Sequence, residues 1–186
     1  MELMPTLRIG WLNGWLLLGL LVLTDGILFS LFPKDVVVRL FDRSGWSREQ
    51  VVFTMLGKLC ALVCLILIVL TPLKAGSSVL VIGSVISLVG LVGLAKALFD
   101  FKNTPGNQPV TQGLYRWSRH PQIVMSTVVI VGACIAIGSW LALVMSIGAR
   151  VFGHFGILAE EEVCLKRYGE VYRAYLKRVP RYFVFC

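Results

Sequence analysis

Charged side chains are scarce in this sequence. Only 15% of its 186 residues are Asp, Glu, Lys or Arg, whereas 57% are apolar, and the mean hydropathy is +0.81. Soluble domains carry about 25% charged residues, so this composition excludes an ordinary water-soluble protein. A bilayer core needs roughly 20 apolar residues per helical span, and several such runs are present. The composition predicts a single membrane domain over residues 1–186.

Metal-binding patterns are also missing. The chain has two histidines and five cysteines, and no histidine lies near Cys60 and Cys64 in the sequence. Structural zinc sites need four ligands at characteristic spacings, and an odd number of cysteines inside apolar runs is not a disulfide framework. We therefore predict no metal site and interpret the cysteines as small apolar residues.

Acidic residues are outnumbered, with ten Asp and Glu against 18 Lys and Arg. The basic residues lie between and after the apolar runs and form no aromatic-interleaved groove, so we predict membrane lipids and not nucleic acid as partners. Most of them fall in segments 33–50, 100–121 and 159–186. With five crossings, the positive-inside rule makes all three segments cytoplasmic, including the C-terminus. The expected location is a bacterial inner membrane or the endoplasmic reticulum.

Apolar runs predict an all-α polytopic membrane protein with about five transmembrane helices. The first run is interpreted as a retained span, because no small-residue cleavage motif follows it. The last two runs are short and joined by three residues, which predicts a tight hairpin. Glycines in the third run predict close approach of a neighbouring helix. The five runs are residues 9–32, 51–71, 79–99, 122–137 and 141–158.

Two polar segments accompany these runs. Residues 34–50 mix charged and apolar side chains, which predicts an interfacial segment with a short amphipathic piece. Residues 160–183 repeat leucine and tyrosine at helical spacing, which predicts a C-terminal amphipathic helix ending before Pro180. Residues 1–99 then form three N-terminal spans, and residues 100–186 form a loop, the hairpin and a tail.

The densest polar cluster is GLYRWSRHPQ, residues 113–122. Pro121 suits the first position of the fourth apolar helix, with Ser118 as a nearby cap. A helix N-terminus surrounded by basic residues predicts an anion-binding corner. The basic residues are Arg116, Arg119 and His120, and the aromatic residues beside them are Tyr115 and Trp117.

Ionisable residues also enter the last apolar run. Arg150, His154 and Glu161 follow at spacings of four and seven, close to one helix face. An arginine inside an apolar span is costly and usually functional, so Arg150 and His154 are candidate catalytic residues. Residues 160–162 are three glutamates at a helix C-terminus, an unfavourable arrangement that predicts a positive partner. We expect Glu161 to face the site and Glu160 to turn away from it.

These features match the chemistry of a zwitterionic cofactor that carries an aromatic ring. S-adenosylmethionine has a carboxylate, a sulfonium cation and an adenine ring, although other nucleotides fit the same residue types. A structural belt at the membrane interface is the alternative interpretation of the cluster.

The order of three motifs adds a resemblance. PVTQGLYRWSRHP at 109–121, EExxL at 161–165 and YGEVYRAYLKRVPRYF at 168–183 resemble the isoprenylcysteine carboxyl methyltransferase and phospholipid methyltransferase superfamily of integral membrane enzymes. The resemblance covers residues 100–183 and implies an S-adenosylmethionine-dependent methyltransferase, with residues 107–110 near the cofactor. The cofactor-binding positions that it implies are Tyr115, His120, Pro121, Gln122, Ile123 and Glu161.

Two positions depart from that superfamily. Ile123 stands where a tyrosine is usual, and Ile157 stands where the carboxyl methyltransferase branch has an arginine near its substrate. Arg150 is expected to orient an anionic acceptor, or His154 to take a proton from a neutral one. The expected acceptor is a lipophilic or membrane-delivered small molecule with a carboxylate, amine or thiol. The alternatives are an NADPH-dependent membrane reductase of related fold and a non-catalytic membrane scaffold.

Overall fold

Regular structure in this protein is helical. The computed structural model describes residues 1–42 and 45–183, and in that part of the chain it contains seven α-helices, a 3-10 turn and two isolated bridges. Cys186 lies outside the described residues. The elements are α1 Trp15–Leu31, α2 Lys34–Leu40, α3 Arg48–Leu70, α4 Ser78–Lys102, the 3-10 turn Gly113–Arg116, α5 Pro121–Ala136, α6 Trp140–Tyr168 and α7 Glu170–Arg178.

The apolar helices agree with the predicted polytopic fold. Among the described residues, α3, α4 and α6 are long and apolar enough to cross a membrane, while α1 and α5 are shorter apolar helices of 17 and 16 residues. At 1.5 Å per residue, each shorter helix is about 25 Å long, slightly less than a typical hydrocarbon core. The predicted short amphipathic piece in the 34–50 segment is α2.

Helix packing follows from small residues. Gly83 and Gly90 on α4 lie directly against the α5 backbone, and a Cβ atom at either would clash with it. Helices α3 and α6 form a second close pair, in which Gly57 of α3 lies beside Ala149 of α6. The close approach predicted for the third apolar run is therefore confirmed. Although three residues join α5 to α6, α5 packs mainly on α4, and α6 packs mainly on α3.

The N-terminal segment corrects the predicted start of the first helix. Residues 9–14 are not helical, and α1 begins at Trp15. The Glu2 backbone donates to Gly138 O and accepts from Trp140 N at 2.8 and 2.9 Å. Asn13, which is 2% exposed, donates its side-chain amide to the backbone near the end of α3. These hydrogen bonds hold the segment before α1 against the end of the bundle, while Ile9, Trp11 and Leu12 stay exposed.

The tail also differs from the prediction. A single amphipathic helix was expected over the segment from residue 160, but α6 continues through Tyr168 and the chain breaks at Gly169 before α7. Gly169 has φ 55°, a left-handed backbone conformation that glycine adopts without strain. No helix breaker occurs between Leu158 and Tyr168, so the apolar helix extends into the charged segment.

The chain segments divide between the two ends of the bundle. Because the apolar helices alternate in direction, the ends of α1, α4 and α6 and the starts of α3 and α5 lie together. The three basic segments expected on one side of the membrane are therefore at one end, which we call the basic end. The N-terminal segment, the α3–α4 turn and the α5–α6 turn form the other end.

Candidate functional site

A buried carboxylate organises the basic end. Glu161 is 5% exposed, and three basic side chains converge on it. Arg181 Nη2 lies 2.7 Å from Oε2, Arg119 Nε lies 3.2 Å from Oε1, and His120 Nε2 lies 3.3 Å from Oε1. We call Glu161 with these three residues the carboxylate network. The positive partner predicted for the glutamates is therefore present.

The 3-10 turn fixes the first part of the 113–122 cluster. Gly113 has φ 58° and lies against the Asp100 carboxylate, which leaves no room for a side chain there. Asp100 Oδ2 accepts a hydrogen bond from Leu114 N at 2.9 Å. The turn buries Tyr115, whose carbonyl accepts a 2.7 Å hydrogen bond from the Tyr175 hydroxyl. Burial raises the pKa of Tyr115 well above that of a free phenol, so the hydroxyl stays protonated.

The start of α5 differs in one detail from the prediction. Pro121 occupies the first turn as expected, but His120 is the N-cap residue and forms no side-chain cap. Ser118 is fully buried; its hydroxyl accepts from His120 N and donates to Arg181 O at 2.9 Å. Ser118 therefore joins the tail to the cluster instead of capping the helix. Of the other cluster residues, Arg116 and Trp117 are exposed.

A first cavity, of about 450 Å³, opens beside the cluster. Its volume lies within the roughly 300–1,000 Å³ range of small-molecule sites. Pro121 is fully buried and Glu161 is behind His120, so neither is among its lining residues. Four of the residues implied by the resemblance line it: Tyr115, His120, Gln122 and Ile123.

Polar atoms without partners point to this cavity. Gln122 Nε2 and Asp25 Oδ1 are buried and have no hydrogen-bond partner, and both residues line the first cavity. A buried polar group without a partner costs about 1–3 kcal/mol, so a polar ligand would relieve both. Gln108, Pro109 and Val110, from the segment that the resemblance implies near a cofactor, also line the cavity.

A second cavity, of about 520 Å³, lies between α3, α5 and α6. Most of its lining is small or apolar, including Gly57, Val124 and Ile157. Arg150 lines this cavity, whereas His154 is among the lining residues of neither. His154 Nδ1 lies 2.8 Å from the Tyr182 hydroxyl. His154 therefore reaches this cavity only through Tyr182, which lines it, whereas Arg150 lines it directly.

The two cavities share a wall. Trp46, Ile123 and Glu160 line both of them, and we call these residues the shared wall. Glu160 was expected to turn away from the site, but it faces both cavities, and its Oε2 lies 3.6 Å from His120 Nδ1. Glu161 instead points into the carboxylate network. The rotation of α6 about its axis, set by packing on α3, decides which glutamate faces the cavities.

Tail tyrosines contribute a part of the site that the sequence did not reveal. The leucine and tyrosine spacing predicts only an amphipathic helix here, but Tyr172 and Tyr175 are 5% and 3% exposed and line the first cavity. Burial raises the pKa of both phenols. Their inward direction depends on the bend at Gly169, which folds α7 back onto the cluster.

The phospholipid methyltransferase family profile matches residues 59–171, which is more than half of the chain. The chain belongs to the phospholipid methyltransferase family. No curated protein and no solved structure matches it. The superfamily expected from the motifs is thus confirmed, and this protein is a member of a family of membrane methyltransferases.

The family match also shows which site residues are additional. It ends at residue 171, so Tyr172, Tyr175 and Arg181 lie beyond it, and Asp25 lies before it. All four belong to the first cavity or to the carboxylate network. The candidate site of this phospholipid methyltransferase family member therefore includes residues on both sides of the matched segment.

Proposed function

We propose that the protein is an S-adenosylmethionine-dependent methyltransferase that binds its cofactor in the first cavity and a lipophilic acceptor in the second. The shared wall is the observation that carries this proposal, because methyl transfer requires two sites that meet at one boundary. The family match supports the reaction class. The apolar lining of the second cavity, which lies between membrane-length helices, supports an acceptor that arrives from the lipid.

The residues of the first cavity suit this cofactor. When bound, S-adenosylmethionine supplies an activated methyl group on a sulfonium cation. Tyr115, Tyr172 and Tyr175 offer aromatic faces to a ring, and sulfonium charge is favoured near aromatic faces and carboxylates. The unpartnered Gln122 Nε2 and Asp25 Oδ1 would bind polar groups of the ligand.

At the shared wall, this chain's own residues would position the acceptor and exclude water. Ile123 is apolar and separates the cavities. An apolar boundary keeps water away from the reacting groups, which limits hydrolysis of the cofactor and strengthens electrostatic contacts. Glu160 and His120 form the polar part of the same boundary. The Glu160 carboxylate would accept the proton that a neutral amine or thiol releases on methylation. The carboxylate network holds His120 in place from the opposite side.

Methyl transfer tests this proposal directly. Purified protein in nanodiscs is incubated with methyl-labelled S-adenosylmethionine and a lipid extract of the expression host, and label in the organic phase is counted. We expect time-dependent labelling that is lost in His120→Ala and retained in Trp117→Ala, an exposed residue of the same cluster. Absence of labelled lipid, together with NADPH consumption, would favour the reductase alternative. Absence of both would favour the scaffold alternative.

A further inference from the structure

Two cations in the second cavity have no anionic partner. Lys58 on α3 and Arg150 on α6 both line it, and neither forms an ion pair or hydrogen bond with any residue in the part of the chain that the structure describes. Glu160 is the one acidic residue among the described lining residues, and it lies beside His120. Both residues are exposed. An unpaired cation that faces the apolar part of a bilayer is costly, so an anion from outside the protein would stabilise both.

Both cations lie near the middle of the bundle. Lys58 is ten residues from the start of α3 at the basic end, and Arg150 is ten residues from the start of α6 at the opposite end. Ten residues of helix rise about 15 Å, which is half of a bilayer core, so neither position is at a helix end. Because α3 and α6 pack together at Gly57 and Ala149, the residues just before Lys58 and Arg150, the two cations lie on adjoining turns.

A third polar group lies near them. Thr54, one turn before Lys58, also lines the cavity, and its hydroxyl oxygen is buried without a hydrogen-bond partner. Its side chain can donate to an oxyanion, whereas a cation or an apolar ligand would leave this donor unused. The three groups together have the composition of an oxyanion site: a guanidinium, an ammonium and a hydroxyl.

We propose that Lys58, Arg150 and Thr54 form an oxyanion subsite of the second cavity, which takes the carboxylate or phosphate of an amphiphilic methyl acceptor. The identification of the ligand as a methyl acceptor rests on the proposed function, whereas the preference for an anionic group does not. Ten residues, or about 15 Å of helix rise, separate Arg150 from Glu160 at the shared wall. The subsite therefore binds an anionic group that is distinct from the atom to be methylated.

Ligand binding without any cofactor tests the subsite. Calorimetry in a neutral detergent compares dodecyl phosphate, dodecanoate and dodecanol, which share one chain and differ in their head groups. We expect at least one anion to bind about tenfold or more tightly than the alcohol. Lys58→Gln and Arg150→Gln should each weaken anion binding by about tenfold and leave alcohol binding unchanged. Lys177→Gln, which removes an exposed cation of α7, is the matched control and should change neither.

Three results would overturn the assignment. The first is equal affinity for dodecanol and both anions, and the second is an equal effect of Lys177→Gln and Lys58→Gln. The third concerns the source of the anion: if phosphatidylglycerol in nanodiscs removes dodecyl phosphate binding as well as excess dodecyl phosphate does, the subsite holds bulk lipid and not an acceptor. Arg150→Lys keeps the charge and serves if Arg150→Gln fails to fold; it should retain most of the anion preference.

Failure of this subsite and failure of the proposed function give different results. S-adenosylmethionine affinity, measured on the same samples, should change less than about threefold in Lys58→Gln, because the side chain does not line the first cavity. Anion preference without S-adenosylmethionine binding would refute the proposed function and leave the subsite. S-adenosylmethionine binding without anion preference would do the reverse.

Discussion

Arg181 and Glu161 form a two-point ion pair, with Nη2–Oε2 and Nε–Oε1 distances of 2.7 and 3.1 Å. The arginine comes from the tail after α7, and the glutamate comes from the last third of α6. A bidentate guanidinium–carboxylate pair is stronger and more directional than a single contact. It therefore joins the tail to α6 at the point where His120 also reaches Glu161, and the hydrogen bond to Glu161 raises the pKa of Arg181.

Glu161→Gln should destabilise the protein substantially. The change leaves Arg119, His120 and Arg181 without their shared counter-charge, and breaking a buried ion pair costs about 3–5 kcal/mol. Thermal unfolding in detergent should show a clearly lower midpoint. Glu170→Gln is the control, since Glu170 pairs with Arg173 on the exposed surface of α7, where such pairs contribute little. Equal midpoints in the two variants would mean that the carboxylate network does not stabilise the fold.

Gly132→Val should disrupt the packing of α5 on α4. A Cβ at Gly132 would meet Ser87 N and Oγ at 2.5 Å, and the backbone atoms at this contact cannot move independently. Overpacking of this kind costs about 1–3 kcal/mol or more. Gly19→Val on α1 is the matched control, because nothing lies within 4 Å of a Cβ there. The yield of monodisperse protein should fall for Gly132→Val only; a fall of the same size for Gly19→Val would point to a general effect of valine.

Alkaline pH should destabilise the protein partly through the tail tyrosines. Burial raises the pKa of Tyr172 and Tyr175 in the folded state, while an unfolded phenol has a pKa of about 10. Above about pH 10 the unfolded state releases protons that the folded state keeps, so the free energy of unfolding falls as pH rises. The double variant Tyr172→Phe, Tyr175→Phe should lose less stability between about pH 9 and pH 11 in denaturant titrations. An identical pH slope in both proteins would contradict this.

Orientation in the membrane can be tested at both ends of the bundle. The excess of basic residues predicts that α7 is cytoplasmic and that the α3–α4 turn is outside. In a cysteine-free background, Lys177→Cys should resist a membrane-impermeant thiol reagent on intact cells, and Ala75→Cys, an exposed position of that turn, should react. Lysis should make both react. The reverse pattern on intact cells would invert the topology.

Much of this architecture could be predicted from local patterns. The apolar runs identified the five apolar helices, and Gly83 and Gly90 indicated a close neighbour because small residues permit backbone contact. The motif at residues 113–122 identified four lining residues of the first cavity. These signals depend on residue spacing within one segment, which a sequence displays directly.

Long-range features could not be read in the same way. Arg181 is near Glu161 only because the chain bends at Gly169 and the tail folds back, so its spacing in the sequence gave no signal. Spacing showed that Glu160 and Glu161 point in different directions, but not which one faces the cavities. Asp25 interrupts an apolar run, and its place in the first cavity depends on how α1 packs against α4.

Equilibrium binding of labelled S-adenosylmethionine to the purified protein tests the central claim most directly. We predict saturable binding in the micromolar range that S-adenosylhomocysteine displaces and NADPH does not. His120→Ala and Gln122→Ala should each weaken it about tenfold or more, since both side chains line the first cavity, while Trp117→Ala should bind as the wild type does. No saturable binding, or equal affinity in all four proteins, would contradict the assignment of the first cavity to this cofactor.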